Sequence, residues 1–92
     1  MNKQTQEALD ILQEECAEVI VEVSKCRRFG LDSTHYRTGI AHREMLSAEI
    51  GDVLALVQIL VDQGILDEQE LIDATVRKQD KLKQWSNIFN KD

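Results

Sequence analysis

The sequence predicts an all-α fold, a helical bundle of about three main helices in a single domain, residues 1–92. Three observations support this prediction. The chain has no Pro and only four Gly among its 92 residues, so long helices are not interrupted. Apolar residues recur at three- and four-residue spacing, as they do on one face of a helix. Only 4% of the residues are aromatic, so aliphatic side chains have to build the core.

The first helix is predicted from about Thr5 to Arg28, with Gly30 as its C-cap. The apolar residues of its stripe are Leu9, Leu12, Cys16, Val19, Ile20, Val23 and Cys26. The next segment, residues 30–43, mixes Gly, Ser, Thr, Asp and His without a period, which indicates a loop. Such a loop is long for a compact domain, and long loops are often functional.

The second and third helices follow from similar signals. The second is predicted from about Arg43 to Gln63, ending at Gly64. The third begins after Asp67, which with Glu70 forms a capping-box pattern, and runs to about Phe89. The apolar side of this third helix consists of Leu71, Leu82, Trp85 and Phe89.

Length, charge and hydropathy limit the partners of the chain. Because a short chain buries little apolar surface per residue, we expect a four-helix-type core completed by oligomerisation, in a homodimer or a homotetramer. The net charge of -6 argues against a nucleic-acid polymer as partner. No apolar run approaches the roughly 20 residues needed to span a membrane, and the polar N-terminus predicts no signal peptide. We therefore expect a cytoplasmic protein without a membrane partner.

Both cysteines, Cys16 and Cys26, fall on the first predicted helix. At the helical rise they lie about 15 Å apart, which is too far for a disulfide. Both are therefore predicted to be small core residues in a reducing compartment.

Charge is unevenly distributed along the chain. Residues 1–24 hold six acidic groups and one Lys, and residues 44–66 hold four acidic groups and no Lys or Arg. Residues 25–43, called the basic segment below, hold one acid, Asp32. The five cations of this segment are Lys25, Arg27, Arg28, Arg37 and Arg43. A basic connector between two acidic helices is unusual for a purely structural bundle.

Two acidic pairs at i, i+3 spacing lie on consecutive helices, Glu15 with Glu18 and Glu49 with Asp52. On the first helix, Glu15 lies at the edge of the apolar stripe and Glu18 lies beside it. On the second helix, both carboxylates lie inside an apolar face. The apolar residues of that face are Met45, Leu56 and Ile59.

Carboxylates on an apolar face are costly to bury, and a like charge nearby adds to the cost. The second helix offers no Lys or Arg that can neutralise Glu49 and Asp52. A hard divalent cation bound by carboxylate oxygens is the simplest remedy. A solvated acidic face is the usual explanation of a single ExxE pair, but two pairs on antiparallel helices favour a metal site.

EExxE (Glu14, Glu15, Glu18) followed by ExxD (Glu49, Asp52) on the next helix resembles the signature of the MazG-like all-α nucleoside triphosphate pyrophosphohydrolases. The segments SKCRRFG after the first motif and EIGDVLALVQIL around the second are similar to the small phage and bacterial single-domain members. The resemblance covers roughly residues 9–85. Thirty residues separate the two motifs, and they include the basic segment.

This resemblance implies that Glu15, Glu18, Glu49 and Asp52 hold Mg²⁺, or Mn²⁺ in its place. It also implies hydrolysis of a nucleoside triphosphate between the α and β phosphates, giving a monophosphate and pyrophosphate. A metal suits that reaction because it lowers the pKa of a bound water and neutralises phosphate charge. Glu15 and Glu18 are candidates for the general base, ahead of Glu14, whose role stays open between positioning the water and supporting the ligands.

A triphosphate also needs cations from the protein. Lys25, Arg28 and Arg43 lie nearest the expected active-site ends of the first two helices, so we predict that they bind phosphate. Lys78 lies inside the apolar stripe of the third helix and is a further candidate. The alternatives are cations that complement a helix dipole and a Lys78 side chain that only covers apolar surface.

The residues that would recognise the base are harder to identify. Phe29, Tyr36 and Trp85 can stack on a base, although Trp85 and Phe89 on a helix stripe are more often core or dimer contacts. His35 and His42 either touch phosphate or are exposed. The sequence alone therefore does not identify which of these candidates contacts the base.

Other functions fit the same residues. The alternative enzyme is a phosphoribosyl-ATP pyrophosphatase. The resemblance implies this enzyme as a relative with similar acidic motifs and a similar reaction. A non-catalytic dimeric helical interaction or regulatory module would tolerate the loss of Glu49 and Asp52, whereas a metal-dependent enzyme would gain thermal stability from Mg²⁺. A nucleic-acid binder is supported only by the basic segment.

Overall fold

The computed structural model describes residues 1–90, which form three α-helices and no named strand. The helices are α1 (Lys3–Phe29), α2 (His42–Asp62) and α3 (Glu68–Trp85). The predicted all-α class with three helices is confirmed. None of these helices is both long enough and apolar enough to cross a membrane.

Helix α1 is defined at each end by a local capping contact. The side chain of Asn2 accepts a hydrogen bond of 2.7 Å from the backbone N–H of Thr5, so the helix begins two residues before the predicted start. At the other end, Gly30 has a φ of 98° and donates its N–H to the carbonyl of Cys26 at 2.9 Å. A positive φ is inexpensive only for Gly, and the predicted C-cap is confirmed.

The predicted loop between α1 and α2 is folded back on itself. Thr34 and Ala41 form an isolated antiparallel bridge, and His35 donates its backbone N–H to the carbonyl of Ile40 at 2.9 Å. His42, the first residue of α2, donates its N–H to the carbonyl of Ser33 at 3.0 Å. These contacts hold the loop of residues 30–41 against the start of α2.

Helix α3 begins where the sequence predicts but ends earlier. The Asp67 side chain accepts from the N–H groups of Gln69 at 2.8 Å and Glu70 at 3.3 Å, which confirms the N-cap. The predicted end at Phe89 is wrong, because the helix ends at Trp85. Ser86 is extended, and its hydroxyl donates to the carbonyl of Leu82 at 2.6 Å, so a side chain satisfies a carbonyl of the last turn.

Only α1 and α2 pack extensively against each other, and no residue of α3 is buried. The chain is accordingly flat, measuring 42 × 39 × 14 Å. Within the part of the chain that the structure describes, the buried apolar residues are Ala8, Cys26 and Leu60. The core of one chain is therefore small.

Several residues of the predicted apolar stripe on α1 lie outside this core. Cys26 is buried as predicted, but the prediction for Cys16 is wrong, because Cys16 is exposed. Ile20 is 70% exposed. The reason is geometric: helix α1 has an apolar stripe wider than the surface that α2 alone covers, and α3 does not cover the remainder.

Candidate active site

Three carboxylates from the two packed helices converge at one place. Glu15 of α1 and Glu49 and Asp52 of α2 can each offer one carboxylate oxygen, and these oxygens all lie within 4.8 Å of one another. Glu49 and Asp52 are three residues apart and therefore lie on the same side of α2. Because α1 packs along that side, the carboxylate of Glu15 meets them. We call these three residues the acidic cluster.

The electrostatics of the acidic cluster are unfavourable without a cation. The pKa of Glu15 is raised above its ordinary value of 4.5, first by desolvation and then by the negative charges of Asp52, Glu49 and Glu18, with a hydrogen bond to Asp52 as a further cause. None of the ion pairs formed within residues 1–90 includes a member of the cluster. These carboxylates therefore repel one another without compensation from a side chain of this region.

The donor set of the acidic cluster fits a hard divalent cation. All three donors are carboxylate oxygens, which Mg²⁺ and Mn²⁺ prefer over nitrogen or sulfur ligands. Glu15 and Glu49 are half-buried and Asp52 is exposed, so one side of the cluster opens to solvent. A cation bound here would retain positions for water and for a phosphate oxygen.

Glu14 and Glu18 lie near the acidic cluster but are not members of it. Both side chains are exposed, and the carboxylate of Glu18 is not among the three that converge. Glu18 is still close enough for its charge to raise the pKa of Glu15. Glu14 precedes Glu15 by one residue and so points about 100° away around the helix.

A pocket of about 490 Å³ lies between the C-terminal end of α1, the loop of residues 30–41 and the start of α2. It brings together two of the four predicted phosphate-binding cations, Lys25 and Arg28. The residues that line it are Lys25, Arg28, Phe29, Ser33, Thr34, His35, Tyr36 and His42. The sequence suggested these aromatic and His residues only singly, and the fold of the basic segment places them in one cavity, called the basic pocket below.

Glu22 is a buried acidic residue that the sequence analysis missed. It is only 5% exposed, one carboxylate oxygen lies 3.6 Å from the ammonium of Lys25, and the other has no hydrogen-bond partner within residues 1–90. Glu22 follows Glu15 by seven residues, which is almost two full turns. That spacing places it on the same face of α1 and was the available signal.

The other two predicted cations lie elsewhere. The guanidinium of Arg43 donates two hydrogen bonds, of 3.0 and 3.1 Å, to the carboxylate of Asp32. Lys78 lines a separate open groove together with Leu54 and Val57 of α2 and residues of its own helix. Within one chain, the structure therefore brings neither Arg43 nor Lys78 into the basic pocket.

Comparison with known proteins identifies the family. The family model described as the MazG nucleotide pyrophosphohydrolase domain matches residues 3–85, nearly the whole chain. The chain belongs to this family. A search of curated proteins gives no match. A search of solved structures gives none either.

Proposed function

We propose that this protein is a Mg²⁺-dependent nucleotide pyrophosphohydrolase that converts ribo- or deoxyribonucleoside triphosphates into monophosphates and pyrophosphate. The observation that carries the proposal is the convergence of Glu15, Glu49 and Asp52 in a chain of the MazG family. Carboxylates on two packed helices can hold a cation at a fixed position, and residues 1–92 act as one catalytic domain in this proposal. The free thiols of Cys16 and Cys26 are compatible with a reducing cytoplasm.

In the proposed mechanism the chain binds the metal, the water and the phosphates through different residues. Glu15, Glu49 and Asp52 hold the cation, whereas Glu18, which the sequence suggested as a fourth ligand, stays outside this set. A divalent cation at this place lowers the pKa of a bound water and offsets phosphate charge. One water is consumed: its oxygen bonds to phosphorus as the anhydride P–O bond breaks.

The proton of that water needs an acceptor in the protein. Glu18 is our first candidate, because its carboxylate lies outside the converging set yet acts on Glu15 through its charge. Glu15 and then Glu14 are the alternatives. A carboxylate that both ligates the metal and takes the proton would have to serve two roles at once, which favours the residue outside the cluster.

Lys25 and Arg28 are the proposed phosphate-binding residues of the same chain, since both line the basic pocket. Arg43 would have to leave Asp32 to contribute. Lys78 lies on α3, away from the basic pocket, and would bind phosphate in a neighbouring subunit of an oligomer.

We further propose that a second copy of the chain covers the apolar groove between α2 and α3. Leu54 is exposed there beside Lys78 and Val57, and exposed apolar patches commonly mark such contacts. Sedimentation velocity should give two or four times the chain mass of 10.5 kDa. Leu54→Glu should shift the protein toward monomer, whereas Gln13→Glu, which adds the same charge to an exposed polar position of α1, should not. A wild-type protein that stays monomeric at all concentrations would contradict this part.

The activity is tested by incubating the protein with ribo- and deoxyribonucleoside triphosphates and with phosphoribosyl-ATP, in Mg²⁺ and in EDTA. We expect Mg²⁺-dependent release of monophosphate and pyrophosphate from at least one triphosphate. The products are identified by ³¹P NMR. Diphosphate and orthophosphate as products would contradict cleavage between the α and β phosphates. Turnover of phosphoribosyl-ATP alone would favour the related pyrophosphatase, and no turnover at all would favour the non-catalytic module.

A further inference from the structure

The basic pocket lies at a defined distance from the acidic cluster along both helices. Lys25 follows Glu15 of the cluster by ten residues on α1, and His42 precedes Glu49 by seven residues on α2. These spacings correspond to about 15 Å and about 10 Å of helix. This separation is comparable with the distance between the base and the phosphates of an extended nucleotide.

Aromatic rings form one wall of the pocket. The rings of Phe29 and His42 are stacked, with centroids 5.6 Å apart and planes 28° from parallel. The guanidinium of Arg28 lies 5.0 Å from the centroid of the Phe29 ring. Phe29 is nevertheless 55% exposed, so part of its ring remains accessible. Single bases stack on such rings and on guanidinium planes.

The His42 ring in this wall has a buried nitrogen, Nδ1, that lacks a hydrogen-bond partner within residues 1–90. The residue is only 4% exposed. Buried polar atoms of native proteins are nearly always paired, and an exception calls for an explanation. A ligand with a hydrogen-bonding edge would supply the partner after a small movement of the pocket wall.

We propose that the basic pocket binds the nucleobase of the substrate, an inference that rests on the proposed function. The base stacks on Phe29, its hydrogen-bonding edge meets Nδ1 of His42, and the phosphates extend past Lys25 toward the acidic cluster. A base is a better partner for the aromatic wall than a phosphate, because a strongly hydrated anion gains little from such a wall. The phosphates are left to the two cations that line the pocket, Lys25 and Arg28. Along α1, Lys25 is the pocket residue nearest to Glu15 of the cluster, and its ammonium lies 3.6 Å from the carboxylate of Glu22.

Binding is measured first without catalysis, by titrating ¹⁵N-labelled protein in EDTA with adenosine, guanosine, cytidine and thymidine. These probes carry a base but no phosphate. We expect amide shifts concentrated in residues 25–42 for at least one nucleoside. Shifts confined to other residues, or none up to millimolar nucleoside, would overturn the inference even if the protein hydrolyses triphosphates.

Phe29→Leu should weaken nucleoside binding about tenfold, since base–aromatic stacking contributes roughly 1–3 kcal/mol and about 1.4 kcal/mol is tenfold in affinity. In the assay with triphosphate the same variant should raise KM more than it lowers kcat. Phe89→Leu is the matched control, because Phe89 is similarly exposed, at 51%, but does not line the pocket. Equal affinity in Phe29→Leu and wild type would contradict the stacking role.

His42→Phe keeps a ring against Phe29 but deletes Nδ1. We expect a melting temperature equal to or above that of wild type, because the lost atom had no partner, together with weaker binding of each nucleoside that binds to wild type. Unchanged nucleoside affinity would remove His42 from the site. Triphosphate turnover with unchanged KM in both variants would refute only the pocket, whereas nucleoside binding in the pocket without turnover would refute only the proposed function.

Discussion

Replacing Glu49 by Gln should lower kcat/KM for Mg²⁺-dependent triphosphate hydrolysis by about a hundredfold or more. Charge stabilisation by a bound metal contributes several kcal/mol to such reactions, and each 1.4 kcal/mol corresponds to about a factor of ten in rate. Glu49 supplies one of the three carboxylates that converge within 4.8 Å. Removing its charge should weaken the metal site directly, which the initial rates as a function of Mg²⁺ concentration will measure.

The same substitution should not unfold the metal-free protein. Gln keeps the size of the side chain and removes one of three like charges, so the free energy of unfolding in EDTA should stay the same or rise. Glu44→Gln is the matched control: Glu44 lies on the same helix, five residues and thus about 140° away from Glu49, and its charge change is identical. If Glu44→Gln and Glu49→Gln have the same activity, the acidic cluster does not hold the catalytic metal.

The contrast between lower activity and unchanged or higher stability distinguishes the enzyme from the non-catalytic module. In a module that kept the bundle only for its shape, Glu49→Gln would relieve repulsion and change nothing else. In the enzyme the repulsion is the cost of holding a cation, and relieving it by removing a ligand lowers turnover strongly. Retained turnover within twofold of wild type would refute the role of Glu49 as a ligand.

The helix ends were predictable from the sequence where a short segment determines them. Asp67 caps α3 with its own side chain, and Gly30 ends α1 through its positive φ. Both effects involve residues within a few positions of one another. The end of α3 was missed because apolar periodicity continued to Phe89, whereas the hydroxyl of Ser86 bonds back to Leu82 and the helix stops at Trp85.

The exposure of Cys16 and Ile20 could not be predicted from periodicity alone. A helical pattern indicates which residues share a face but not how much of that face a neighbouring helix covers. In this chain α2 covers part of α1, and α3 packs extensively against neither helix. The coverage depends on tertiary and quaternary contacts that no local pattern contains.

The acidic cluster was largely predictable, and the basic segment was not. The i, i+3 spacing of Glu49 and Asp52 and the antiparallel order of two consecutive helices are enough to bring them near Glu15. The pairing of Arg43 with Asp32 and the position of His42 beside Phe29 depend on how residues 30–41 fold back. Gly39, with a φ of 71°, and the bridge at Thr34 produce that path, which has no periodic signature.

Magnesium should raise the melting temperature of the wild-type protein by about 10 °C or more at saturation. A ligand at about 100 times its Kd stabilises a folded protein by roughly 2.7 kcal/mol, and in a chain of this size each kcal/mol shifts Tm by about 4–8 °C. The measurement is calorimetry in EDTA and in increasing MgCl₂, with KCl at equal ionic strength to separate binding from screening. Glu49→Gln should lose most of the shift, and Glu44→Gln should keep it.

In the metal-free protein, Glu15 should make the free energy of unfolding fall as the pH rises. Its pKa is raised in the folded state, so its contribution to stability is complete below the ordinary value of 4.5 and is lost as the pH rises through the raised pKa. Glu15→Gln should therefore stabilise the metal-free protein at neutral pH, and the gain should vanish near pH 4.5.

With Mg²⁺ the wild type should gain stability as the pH rises, because protons no longer compete for the ligand oxygens. A gain from Glu15→Gln that does not depend on pH would mean that the acidic cluster does not perturb Glu15, and the electrostatic reason for a cation at this place would be lost.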